Sequence, residues 1–89
     1  MYQVKKREGK IAEFDIAKIA DAITKAFEAT EKQYTPNIID FLALKVTAAF
    51  EPKIVDGLIA VEDIQDSVEQ VLGEAGYSDV AKAYILYRR

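Results

Sequence analysis

Between Val4 and Ile19 the chain changes periodicity, and that change constrains the rest. Tyr2 to Lys6 alternates, with Tyr2 and Val4 on one face, which predicts a strand. Glu8-Gly9 supplies a turn in which Gly9 can take a positive φ without strain. Lys10 to Phe14 returns as a second strand with Ile11 and Phe14 as its apolar anchors. Asp15 is then a good N-cap for a helix. Two strands alone are marginal in water, so this hairpin has to lie on the elements that follow it.

Those elements read as helices. Ile16, Ile19, Ala20, Ile23, Ala26 and Phe27 recur at helical spacing, opposite a polar face of Lys18, Asp21, Lys25 and Glu28. Thr30 to Tyr34 is polar and reads as a loop. Thr35-Pro36 is a hydroxyl cap with proline at the first helical position. The next helix carries Ile38, Ile39, Phe41, Leu42, Leu44, Val46, Ala49 and Phe50 around most of its circumference, which predicts the central, most buried helix. Glu51-Pro52 should stop it, because the residue before proline avoids the α region.

After an Asp56-Gly57 turn, Leu58 to Ala60 is a short apolar segment able to add a third strand to the hairpin. Val61, Ile64, Val68, Val71, Leu72 and Ala75 form another stripe, ended by Gly76 at C′. Ala60 is a poor cap there, but Glu62 and Asp63 suit the positive end of the helix dipole. Ser78 is the expected cap of a last helix, with Val80, Ala83, Tyr84 and Tyr87 facing inward. That helix has no stop signal, so a linker or larger protein is expected beyond Arg89. The fold class read from this pattern is α+β and mainly helical: four helices with a three-stranded sheet built on the hairpin.

Composition narrows the chemistry. Eighty-nine residues make one small domain. With 51% hydrophobic residues, a folded globule is expected. No apolar run approaches the ~18 residues of a membrane span, and no signal-peptide core opens the chain, so a cytoplasmic protein without membrane partners is expected. The chain has no cysteine and no histidine. Disulfides, thiolate zinc sites, cysteine nucleophiles and histidine bases are thereby removed, and an enzyme in its own right is not expected. A metal would need oxygen ligands, and Mg²⁺ carried in by phosphates is the expectation.

The net charge of −3 argues against nucleic acid as a partner. Its distribution is uneven. Lys5, Lys6, Arg7 and Lys10 crowd the hairpin turn against Glu8 alone, and Arg88-Arg89 close the chain. Val61 to Gly76 holds Glu62, Asp63, Asp66, Glu69 and Glu74 with no basic residue. A local anion site on a mildly acidic protein is the expectation.

Three motifs now in view resemble a known family, the ATP-cone domain. Val4-x-Lys6-Arg7-Glu8-Gly9 followed by Phe14-Asp15-x-x-Lys18-Ile19 looks like its opening. Val61-Glu62-Asp63-Ile64-Gln65-Asp66-x-Val68-Glu69 looks like its middle motif. Gly76-Tyr77-x-x-Val80-Ala81-Lys82-Ala83-Tyr84-Ile85-x-Tyr87-Arg88 looks like its close. Together they span essentially the whole chain, 1–89, and three motifs in order are far more specific than a Lys-Arg pair. Glu8 replaces a frequent aspartate, Ala60 replaces a common serine or threonine cap, and the chain ends at Arg89 where the family's closing helix usually runs into further basic residues.

The resemblance implies a helical bundle covered by a small mixed sheet. It also implies reversible binding of ATP or dATP, with Mg²⁺ able to accompany the nucleotide. Such domains typically sit at the N-terminus of ribonucleotide reductase large subunits, and Met1 directly before the motif suits that placement. ATP there sustains activity and dATP switches it off, often through oligomeric state, so the partners implied are the rest of a reductase chain and a self-association or subunit contact. A related cone in a transcriptional repressor follows a cysteine zinc ribbon, and no cysteine is present here. The alternatives are a cone on a kinase or repressor, or an interaction module whose hairpin is only structural.

Each candidate residue has a plain structural reading beside the ligand one. Lys6 and Arg7 are the first candidates for phosphate contact, as a point charge and a bidentate fork; the plain reading is a solvated turn. Alternation puts Lys6 with Val4 on one face and Arg7 on the other, which speaks against both reaching phosphate. Lys18 in a first helical turn is mismatched with the dipole unless an anion is near. Asp15 serves as a cap and, by the resemblance, lies with Ile19 against the nucleotide. Glu13 and Phe14 can offer backbone groups to a base, with Phe14 equally explained as core. Val61 and Ile64 suit both core packing and an apolar wall for adenine. Gln65 can read a base edge or simply face solvent. Arg88 and Arg89 can close over phosphates, although terminal arginines are usually mobile.

Overall fold

The computed structural model describes residues 2–88. Its elements are β1 (Gln3–Lys5), β2 (Ile11–Glu13), α1 (Ile16–Ala29), α2 (Pro36–Phe50), β3 (Leu58–Ala60), α3 (Val61–Glu74) and α4 (Ser78–Tyr87), with a single 3₁₀ turn at Glu51–Lys53. Four helices and one small mixed sheet make an α+β fold.

The sheet runs in the order β2-β1-β3, antiparallel between β1 and β2 and parallel between β1 and β3. The hairpin closes through the Lys6 N–H donating to the Lys10 carbonyl at 2.8 Å and the Gly9 N–H to the Lys6 carbonyl at 2.9 Å. Gly9 sits at φ 89°, where a side chain would be strained. Register places Ala12, Val4 and Ile59 side by side. This row faces the helices, with Val4 packed against the core and Ile59 buried. The same register corrects the expectation for Ile11. Paired with Lys5, it points outward and is 50% exposed, because a two-residue period that turns Ala12 inward turns its neighbour out.

Asp15 caps α1 as expected, its Oδ1 accepting from the Ala17 N–H at 3.0 Å, and Ile19, Ile23, Ala26 and Phe27 are buried. Ile16, in the first turn, is instead exposed. Thr35 Oγ1 caps α2 by accepting from the Ile38 N–H at 3.2 Å, with Pro36 opening the helix. This helix buries Ile39, Leu42, Ala43, Val46 and Phe50, yet Phe41 is 59% and Leu44 62% exposed. A helix packed by α1 on one side and α3 on the other still keeps an outer face, and its apolar residues there remain uncovered.

The hairpin is anchored by aromatic rings. Tyr2 and Phe14 lie 4.7 Å apart, and Phe50 stands edge-on to both at 6.0 and 5.6 Å. Phe50 is fully buried at the end of α2, so the strands hang from a fixed point in the bundle.

Helix α3 ends in a Schellman motif. The Tyr77 N–H donates to the Leu72 carbonyl at 2.9 Å and the Gly76 N–H to the Gly73 carbonyl at 3.1 Å, with Gly76 at φ 89°. Because Tyr77 completes that motif, α4 begins immediately after it. Ser78 is therefore the first helical residue rather than the cap, and the Asp79 carboxylate accepts from the Val80 N–H instead. At the other end of α4, Tyr87 is half-exposed rather than inward-facing. The core joins all four helices through Phe27, Phe50, Ile23, Leu42, Leu72, Val46, Val68 and Val80.

Candidate functional site

A cavity of about 200 Å³ opens where the inner face of the hairpin meets α1, α3 and α4. Each wall follows from the fold. Val4 comes from the inner side of β1, and Lys6 from the residue just after that strand, two places on. Glu13, Phe14 and Asp15 line the passage from β2 into α1, and Lys18 and Ile19 continue it on the first turn of that helix. Val61, Ile64 and Gln65 come from the first turns of α3. These ten residues were all candidates on sequence grounds, and the structure brings them to one cavity.

Sequence reasoning missed five further lining residues: Ala12, Ala22, Val68, Tyr84 and Tyr87. Tyr84 and Tyr87 carried a usable signal, since an i,i+3 pair of tyrosines shares one helix face and each ends in a polar group that seeks a partner. Ala12 and Ala22 gave none. They matter by leaving space.

The two arginines stand beside the cavity rather than in it. Arg7 Nε donates to Glu62 Oε2 at 3.0 Å, and its Nη2 donates to Gln65 Oε1 at 3.0 Å and to the Arg88 carbonyl at 3.3 Å. Because a guanidinium only donates, Gln65 must turn its oxygen to Arg7 and keep its NH₂ for another partner. Arg88 Nη1 donates to Asp66 Oδ1 at 3.0 Å and also to Glu69. Burial lowers the Arg88 pKa, but the hydrogen bonds to Asp66 and Glu69 outweigh it and leave the group above its ordinary value. The acidic stretch on α3 thus holds both arginines, a role that composition alone did not reveal. Arg89, also a candidate, lies outside the described residues.

Lys6 and Lys18 differ from the arginines. Among the described residues neither enters an ion pair, and both line the cavity. Two lysines without ion-pair partners and two carboxylates, Glu13 and Asp15, therefore share the lining of a space whose other walls are mainly apolar, from Val4, Phe14, Ile19, Val61, Ile64 and Val68. Such a site suits a ligand with a flat apolar part and an anionic end. Tyr84, buried at the cavity wall, is pushed from 10.0 up to about 12, chiefly by burial. It is a neutral phenol at physiological pH.

Comparison with known proteins decides the family. The sequence matches the ATP cone domain model over residues 2–89. The chain belongs to the ATP-cone family. This cone is 41% identical over 87 residues to a vitamin B12-dependent ribonucleoside-diphosphate reductase of Mycobacterium tuberculosis (strain CDC 1551 / Oshkosh), covering 98% of the cone and 12% of that protein. It is 40% identical over 89 residues to a ribonucleoside-diphosphate reductase subunit alpha of Chlamydia pneumoniae, covering 93% of the cone and 8% of that protein. A vitamin B12-dependent reductase of Thermoplasma acidophilum is 41% identical over 91 residues, covering 97% of the cone and 11% of that protein. The cone thus spans about a tenth of the length of the curated relatives it matches.

Among the described residues of the cone, no three carboxylates gather in a way that would hold a metal ion, and no helix is long and apolar enough to cross a membrane.

Proposed function

We propose that the whole chain, 1–89, is a noncatalytic regulatory domain of a ribonucleotide reductase large subunit, and that it binds ATP or dATP in the cavity under the hairpin. The observation that carries this reading is the convergence of Lys6 and Lys18, both without ion-pair partners among the described residues, on a cavity of about 200 Å³ with mainly apolar walls, which Glu13 and Asp15 also line. That volume is below the roughly 300–1,000 Å³ of pockets that enclose a whole drug-sized ligand. It suits the base and sugar, with the phosphates outside at the lysines.

In this reading the base lies against Ile64, Val68 and Phe14, and the backbone of Glu13 and Phe14 is within reach of its edge. The start of α1 adds a positive dipole end beside Lys18, with the Ala17 and Lys18 N–H groups already donating to Asp15. Mg²⁺ accompanies the nucleotide on its phosphates rather than in a protein-built site.

Regulation follows by population shift: ATP and dATP act differently only if the cone, or the surface it docks on, distinguishes the sugar. The signal passes to the rest of the reductase chain. The outer face of α2, with Phe41 and Leu44 exposed, is the surface we assign to subunit contact or self-association.

Titrating the 89-residue chain with ATP and with dATP by calorimetry, with Mg²⁺ present, tests the reading. Saturable binding of at least one of them is expected. No heat and no thermal shift with either, well above millimolar concentration, overturns it. A second reading, a protein-interaction module with a purely structural hairpin, would then stand on the Phe41–Leu44 face alone.

A further inference from the structure

The geometry points to Tyr84 as a specificity-determining residue, its hydroxyl hydrogen-bonding to a sugar hydroxyl of the bound nucleotide. The inference rests on the nucleotide reading of the cavity and assigns to it a group that motif matching left as core.

Tyr84 is only 4% exposed, yet its hydroxyl makes no hydrogen bond among the described residues. No side-chain polar atom among them is both fully enclosed and without a partner. The hydroxyl must therefore reach open space, and the space that Tyr84 lines is this cavity. A phenol buried almost completely, with its polar end kept for the cavity, is matched by a ligand that offers a hydrogen-bonding group there.

Position decides which part of the ligand that is. The ring packs among apolar neighbours of the floor, and its partner in the ring stack is Tyr87, 6.0 Å away. One turn further along α4, Arg88 donates its N–H to the Tyr84 carbonyl at 2.9 Å and its guanidinium to Asp66 and Glu69, the charged group at the rim. Tyr84 thus stands at the border between the apolar interior and the charged edge. A nucleotide with its base inside and its phosphates outside crosses that border with its sugar. Raised to about 12, the phenol stays protonated and can both donate to and accept from a hydroxyl.

Among the described residues the hydroxyl has no partner to lose, so Tyr84→Phe should fold with unchanged thermal stability. Calorimetry on wild type and Tyr84→Phe would use three probes: ATP, dATP and 3′-deoxy-ATP. In the wild type, the analogue lacking the contacted hydroxyl binds roughly ten-fold more weakly than ATP, the equivalent of one lost hydrogen bond. In Tyr84→Phe, ATP weakens to match that analogue while the other ratio stays unchanged. The analogue that responds identifies the 2′ or the 3′ hydroxyl. Unchanged ratios for both analogues in Tyr84→Phe overturn the inference, as does an equal weakening of all three. If the wild type binds none of the probes, the nucleotide reading itself fails, a separate result.

Discussion

Arg7 Nε donates to Glu62 Oε2 at 3.0 Å, so the turn of the hairpin is tied to the first turn of α3 by an ion pair across the edge of the cavity. Both side chains are about half exposed, and an exposed pair of this kind contributes about 0–1 kcal/mol to stability. Its consequence lies in binding. A polyphosphate at the turn has to compete with Glu62 for Arg7. Glu62→Gln is expected to leave the melting temperature within a degree or two and to tighten ATP binding several-fold, by about 1 kcal/mol. Weaker binding in a calorimetric titration would show that Glu62 supports the ligand instead.

Lys6 and Lys18 have no ion pair to break among the described residues, so removing either should not affect folding. Each lysine that meets a phosphate contributes about 1.5–3 kcal/mol through a charge-assisted hydrogen bond. Lys6→Ala and Lys18→Ala are each expected to weaken ATP roughly ten-fold or more, with AMP affected much less. If neither substitution weakens ATP, the phosphates lie elsewhere.

Burial raises the Tyr84 pKa from 10.0 to about 12, which gives a signed prediction for pH. Below pH 10 the phenol is protonated in both states and adds no pH dependence. Between 10 and 12 the unfolded chain binds fewer protons than the folded one, so stability falls as pH rises. Two units correspond to about 2–3 kcal/mol. Urea melts at pH 9 and pH 11.5 should show that loss in the wild type and a smaller one in Tyr84→Phe.

Phe50 holds the hairpin through Tyr2 and Phe14, at ring separations of 6.0 and 5.6 Å. Phe50→Leu keeps the site apolar but removes both edge-on contacts, worth about 0.5–1.5 kcal/mol each. The hairpin should loosen more than the bundle. Hydrogen exchange should accelerate at the Lys6 and Phe14 amides, which donate to Lys10 and Tyr2, while the amides of the buried Val46 and Leu72 should change least.

The order of elements was legible because several boundaries have a local cause: Asp15 and Thr35 as caps, Gly76 at a C′ position. The α2 helix ends at Phe50 as expected, but not for the expected reason, because Glu51 before Pro52 keeps helical angles (φ −51°, ψ −43°) and opens the 3₁₀ turn. What sequence could not supply was relational. Ile11 read as an anchor until its register opposite Lys5 turned it outward. Phe41 and Leu44 read as buried because apolar residues surround α2, and only the placement of α1 and α3 shows which side stays open. Ser78 lost its capping role to a Schellman motif that used the preceding residue. In the site, the motifs named ten lining residues, but the pairing of Arg7 and Arg88 with α3 carboxylates depends on elements more than fifty and about twenty residues apart in the chain.

The central claim is that the cavity under the hairpin receives a nucleotide, and amide shift mapping tests it most directly. Adding ATP with Mg²⁺ to the ¹⁵N-labelled chain should move the amides of Val4, Lys6, Phe14, Lys18, Val61, Gln65 and Tyr84 together, saturating with one curve. Phe41 and Leu44, on the outer face of α2, should move little in the monomer. Saturable shifts centred on α2 with the hairpin amides still, or no shifts at all, would contradict it.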